Sequence, residues 1–299
     1  PLKPAFDSCG TELPCPQQPP RSAMEKLVRS PANMRDWERS LAYQEILGFI
    51  AAVSSSVRGK PLQAGPDSYS VSERCGRLNS LLAKLDSWID EIPPVEQPAR
   101  FGNRAFKTWL QRLESEAPGL LADCLADGLS QDLSEQRRAE LVRYFVESFG
   151  NGTRIDYGTG HELAFVAFLC CLFKAGFLVT ADCAAVALSV FARYLDLVRR
   201  LQVSVLGAFR DAGAEAGICG CGCRSWDLRL WMQKLDLRLR LAAHGVWCLD
   251  DFQFVPFIWG SAQLIGNPKV QPADIPNRSK AEQLAKENLF FGCLEYIFK

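Results

Sequence analysis

Histidine is almost missing from this sequence. Only His161 and His244 occur in 299 residues, so a histidine-rich metal site is excluded. His161-Glu162 fails as the start of a zinc motif, because Phe165 stands where H-E-x-x-H needs its second histidine. Net charge is missing too: 34 Lys and Arg balance 34 Asp and Glu. That argues against a nucleic-acid binder driven by bulk electrostatics. No apolar run approaches the roughly 20 residues of a membrane helix, so no membrane partner is expected. No charged-then-apolar leader opens the chain, and Pro1 in place of an initiator Met is what a fragment would show. Without a G-x-S-x-G there is no support for a Ser-His-Asp hydrolase. No stretch alternates with period two and no fixed period repeats, so the fold class is all-α and not an obvious solenoid.

The residues that are present describe a packed globule, at 48% hydrophobic and 23% charged. The twelve cysteines are even in number, but their placement does not suggest a disulfide framework. Cys170 and Cys171 lie within an apolar run and read as buried thiols, while Cys124, Cys183, Cys248 and Cys293 are scattered singly. A reducing setting fits this pattern, cytoplasmic with the nucleus as an alternative. Cys219, Cys221 and Cys223 alternate with glycine, which is too tight for the usual structural zinc spacing. The competing reading is an unstructured insertion.

Residues 1–23 are rich in Pro, Gln and Ser and read as a disordered arm. Trp37, Leu41, Leu47 and Ile50 mark a first helix. The cleanest stripe comes next: Leu78, Leu81, Leu82, Leu85, Trp88, Ile89 and Ile92, stopped by Pro93-Pro94. Phe106, Trp109, Leu110 and Leu113 mark a third helix, which Leu120 to Leu129 either extend or succeed past Pro118-Gly119. A fourth carries Leu141, Tyr144, Phe145 and Phe149. Further on, Thr180 is placed to cap a helix facing Val186, Phe191, Tyr194 and Leu201 inward. Pro256 suits the first turn of a short helix. Ser279 and Glu282 form a capping box for a last helix running to the end of the chain.

Between the fourth helix and Thr180 lies the organising stretch, GNGTRIDYGTGHELAFVAFLCCLFK, residues 150–174. A glycine-rich loop enters the most apolar helix candidate in the chain. Thr159 reads as its N-cap and Glu162 as the capping-box partner. A helix apolar on all sides belongs inside a core. The loop holds Arg154 among four glycines, and free N–H groups at a helix start with a nearby Arg make a plausible anion site. The competing reading is a capped core helix after a flexible turn. It is no known nucleotide fingerprint: no Lys comes after the glycines, and Leu163 occupies the third glycine position of G-x-G-x-x-G.

Residues 148–174, SFGNGTRIDYGTGHELAFVAFLCCLFK, together with residues 245–268, GVWCLDDFQFVPFIWGSAQLIGNP, resemble the phosphotyrosyl phosphatase activator family. Those proteins activate type 2A serine/threonine protein phosphatase. FGNRAFKTWL within residues 76–113 is similar too. The resemblance implies an all-helical core with linker and lid subdomains. It implies a chaperone-like role on the phosphatase catalytic and scaffold subunits that promotes the metal-loaded form. It further implies bound ATP with Mg²⁺, and peptidyl-prolyl isomerase activity on a Pro-containing peptide. The positions matching the family's nucleotide pocket are Arg154, Thr159 and Gly160, and those matching its magnesium surroundings are Gly245 and Asp251.

Two departures stand out. A stretch over 203–244 replaces the family's short basic linker, and the chain ends where the family continues with another helical region. Asp250-Asp251 read by default as caps for the next helix, or as a magnesium carboxylate if a triphosphate sits at the glycine loop. Phe252, Phe254, Phe257 and Trp259 read as core, or as a groove for a Pro-containing peptide. An isomerase needs no nucleophile, only a pocket that favours the twisted amide, so a missing triad does not count against one. The alternative outside this family's chemistry is an ATP-independent helical interaction scaffold.

Overall fold

The computed structural model describes residues 28, 30–65, 68–95, 103–126, 128–129, 134–204 and 253–298. Among these the regular structure is helical, with two isolated β-bridges, Gly65 to Tyr69 and Asn151 to Asp156, and no named strand. The N-terminal arm and most of the 203–244 stretch, including its cysteines, lie outside the described residues.

The helices are α1 (Met34–Glu38), α2 (Leu41–Ser56), α3 (Glu73–Glu91), α4 (Arg104–Leu125), α5 (Glu135–Glu147), α6 (Thr159–Lys174), α7 (Cys183–Ala185), α8 (Ala192–Ser204), α9 (Val255–Gln263), α10 (Arg278–Leu284) and α11 (Leu289–Phe298). A π-helical segment, Val186–Phe191, joins α7 to α8 without a break. Side chains of Ser40, Ser72, Asn103 and Ser134 accept N–H bonds at the starts of α2, α3, α4 and α5. The stripe on α3 is buried as its period requires. α4 runs straight through Pro118. The carbonyl that Pro118 cannot serve belongs to Glu114, four residues back, and both residues are exposed to solvent.

α6 is the core helix that its composition demands: Phe165, Val166, Phe168, Leu169 and Leu172 are all at most 1% exposed. Around it an aromatic column passes from Trp88 to Trp109, Phe149, Tyr194 and Phe165. The last pair is stacked at 3.8 Å. The extra residue in the π-helical turn rotates the start of α8; Phe191 there packs on Phe165 and Trp259, and Tyr194 reaches Tyr157 beneath the glycine loop.

Two cap assignments from sequence, and the extent of the last helix, are corrected. Val179, not Thr180, precedes the 3-10 turn Thr180–Asp182, and its N–H donates to Asp182 Oδ2 at 2.9 Å. Asn277, not Ser279, caps α10, while Glu282 pairs with Arg278 at 3.7 Å. The last helix is two helices, because Asn288 Oδ1 accepts from the N–H groups of Phe290 and Phe291 and starts α11 afresh.

α9, α10 and α11 pack into a smaller C-terminal cluster built on Ala281, Phe291 and Leu294. α9 ties it to the main core. Trp259 Nε1 donates to Ile50 O of α2 at 3.1 Å, and Gln263 Nε2 donates to Lys60 O at 2.8 Å. α9 and α11 cross at Gly260, where a Cβ would lie 2.7 Å from Phe290 Cβ and overlap its backbone. Gly260→Ala should therefore destabilise the fold by about 1–3 kcal/mol, the usual cost of overpacking. Denaturant unfolding checks this, and a change below about 0.5 kcal/mol, the size of an ordinary surface substitution, would show that the two helices do not meet at that glycine.

Candidate functional site

The loop ahead of α6 is a tight hairpin. Asn151 and Asp156 exchange backbone bonds of 2.8 and 3.3 Å, and Asn151 Oδ1 accepts from the N–H groups of Thr153 and Arg154. Gly150 opens it at φ 126°, and a Cβ there would sit 2.6 Å from Asp156 O and 2.7 Å from the Phe106 ring, so glycine is required. Ile155 takes φ 53°, a costly setting for a β-branched residue that the closed hairpin enforces.

Arg154 stands on this hairpin, exposed, with Nε on Asp156 Oδ2 at 2.6 Å. One bond leaves most of the guanidinium fork for a second anion. Gly160 is exposed in the first turn of α6, with open space where a side chain would be. Thr159 is the first residue of α6. The structure therefore puts Arg154, Thr159 and Gly160 on one loop and helix start. Gly245, Asp250 and Asp251 lie outside the described residues. Among the described residues no group of three or more His, Cys, Asp or Glu is placed to hold a metal.

The capping box read from sequence is not formed. Gly158 is the N-cap of α6, with no side-chain cap, and Thr159 lies inside the helix. Glu162 turns away from its own helix start and accepts from Phe254 N at 2.8 Å and Val255 N at 3.1 Å. It caps α9 instead. Glu162 is 2% exposed, and burial pushes its carboxyl from the ordinary 4.5 up to about 8, against the downward pull of the two N–H bonds. His161 is buried beside it. Its Nδ1 lies 2.6 Å from Glu147 O, and a carbonyl only accepts, so Nδ1 carries the proton. Burial holds His161 below the usual imidazole range, helped by Arg154 and opposed by the Glu147 bond and by Asp156.

Next to Glu162 a second contact joins the same two stretches: Gln253 Nε2 donates to Tyr157 OH at 2.9 Å. Tyr157 OH lies 2.8 Å from Tyr194 OH, which donates to Ser148 O at 2.7 Å. Sequence periodicity reads Tyr194 only as an inward apolar residue, and nothing in a lone Gln253 marks it. Of the aromatics after Asp251, Trp259 is core and Phe257 half-buried, but Phe254 is 43% exposed, as is Ile258 at 47%. A groove of about 490 Å³ between α4 and α5 takes Asn151, Gly152 and Thr153 as one wall. Neither Arg154 nor Gly160 lines it, so it is separate from the α6 start.

Glu162 gives this junction a pH dependence. Between about 4.5 and 8 the folded chain holds a proton the unfolded chain has lost, so this contribution stabilises fully at low pH and fades as pH rises through 8. Glutamine cannot ionise. The melting temperature of Glu162→Gln relative to the wild type should therefore climb between pH 5 and pH 9. A constant difference across that range would mean that Glu162 titrates normally.

A family model described as phosphotyrosyl phosphate activator (PTPA) protein matches residues 24–206 and 231–299. The serine/threonine-protein phosphatase 2A activator of Drosophila melanogaster is 36% identical over 277 residues, 93% of this chain and 60% of the fly protein. A probable phosphatase 2A activator of Dictyostelium discoideum is 35% identical over 273 residues, 91% of this chain and 72% of that one. The crystal structure of a PP2A phosphatase activator matches with a TM-score of 0.67 at 25% identity, covering 91% of this chain and 74% of that one.

Proposed function

This chain belongs to the phosphotyrosyl phosphatase activator family, and on that premise we propose that it activates type 2A serine/threonine protein phosphatase as a binding and assembly partner, with Mg-ATP held at the start of α6. It spans 60% of the fly relative's length, so the activity is assigned to the chain as a proposal of its own. The observation that carries the nucleotide reading is the junction itself. Glu162 and Gln253 bring the two stretches of family resemblance side by side, at the start of α6.

The residues there fit a phosphate. N–H groups in the first turn of a helix attract anions, Gly160 leaves room for close approach, and Arg154 offers the outer edge of its fork. Arg154 is exposed and its partner Asp156 half-buried; a pair open to solvent on the Arg side is weak, so a phosphate can share the guanidinium. In this reading Gly245 and Asp251 furnish the magnesium surroundings. A bound triphosphate would bring concentrated negative charge and a divalent cation to this surface, and a structural role requires no bond in it to break. Phosphatase catalytic and scaffold subunits are the proposed partners, and promotion of the metal-loaded phosphatase is the proposed outcome. The proposed setting is cytoplasmic, with the nucleus as an alternative.

A second reading, a prolyl isomerase on a Pro-containing peptide, draws support from the exposed Phe254 and Ile258 beside the same junction. A proline-isomerisation assay without phosphatase isolates it.

The test is capture of phosphatase 2A subunits by this chain with and without Mg-ATP. Arg154→Ala should weaken ATP binding by the value of one charge-assisted contact, about 1.5–3 kcal/mol, with helicity intact. Calorimetry that finds equal affinity in the variant and the wild type would return the loop to a mere helix start.

A further inference from the structure

The buried hydrogen bonds beneath the loop run in one direction. Ser148 O can only accept, so Tyr194 spends its single proton there. Tyr194 oxygen then accepts from Tyr157. With its proton spent, Tyr157 oxygen accepts from Gln253 Nε2, which fixes the orientation of that amide. All three side chains are at most 7% exposed. Burial raises both phenols above their ordinary range, so the relay stays neutral. Gln253 Oε1 is buried without a partner, a cost that a residue kept only for stability would avoid.

Tyr157 directly precedes Gly158, the N-cap of α6. Whatever fixes the Tyr157 phenol also fixes the backbone that presents the N–H groups of Thr159 and Gly160. The far end of the relay is the residue that leads into α9, whose first amides are held by Glu162.

We propose that Tyr157 and Gln253 are positioning residues for the start of α6: their hydrogen bond clamps the glycine loop to the lead-in of α9 and holds the α6 amides in place for phosphate. The ligand half of this inference rests on the nucleotide reading above. The clamp itself does not.

A double-mutant cycle of Tyr157→Phe and Gln253→Leu tests it in the full chain. Both substitutions keep shape and delete the Tyr157–Gln253 bond, and Tyr157→Phe also removes the bond to Tyr194. Each should weaken Mg-ATP binding about 3- to 10-fold, the range for one neutral hydrogen bond, and speed amide exchange at residues 158–161 and 254–256. The double variant should be no worse than the weaker-binding single, because the bond is lost only once. Effects that multiply in the double variant overturn the proposal. So does a fall in melting temperature with nucleotide affinity and exchange at those amides unchanged, the mark of a merely structural pair. A wild-type chain that binds no Mg-ATP sinks the nucleotide reading. The exchange cycle then decides the clamp: faster exchange at 254–256 in Tyr157→Phe supports it, and wild-type exchange there refutes it.

Discussion

The carboxyl group of Glu162, buried and bonded to the amides of Phe254 and Val255, is the contact on which the rest of the structure turns. Burying its charge is costly, and two N–H donors and the positive end of α9 offset that cost only in part, so the carboxyl titrates high. What it secures is long-range. The contact joins positions 92 residues apart in sequence, and α9 then carries Trp259 into the main core and Gly260 onto α11. The C-terminal cluster therefore depends on a side chain in the first turn of the central helix. That same turn is where the candidate ligand site lies, so stability and recognition share one short piece of backbone.

Much of this architecture is legible in the sequence. The stripe on α3, the all-apolar α6 and the Pro-started α9 can be read from period and composition, because each buries a face that only a helix could present. The errors fall on caps. Thr159 and Glu162 satisfy a capping-box spacing, yet α6 is enclosed so early that Glu162 points to a neighbour and not along its own helix. The same competition splits the last helix at Asn288, whose side chain also donates to Gly260 O. Local patterns name residues able to cap; tertiary packing decides which helix receives the bond.

The candidate site divides in a similar way. Arg154, Thr159 and Gly160 are recognisable because glycine spacing and a helix start carry local information, and the family resemblance sharpens it. Tyr157, Tyr194 and Gln253 are not, because their role exists only once three distant segments meet. The π-helix before α8 is the hidden element. No residue in Val186–Phe191 announces it; it packs against α3, and Ser189 accepts from Asn79 of that helix at 2.7 Å.

An apolar helix gives a protein few ways to act, since its sides are spent on the core. α6 shows what remains. Among its first residues His161 and Glu162 face inward, while Gly160 and Leu163 meet solvent. The free end, not a face, is what the helix can offer a ligand. An end held by a largely buried shaft is constrained by it, and preorganised donors lose little entropy when a ligand arrives. The hairpin from Gly150 to Asp156 then sets the Arg154 guanidinium nearby, on a loop closed by its own backbone bonds. Burial of the helix and exposure of its amino end are thus one design constraint: the more completely α6 is enclosed, the better defined is the geometry of the N–H groups at its open end.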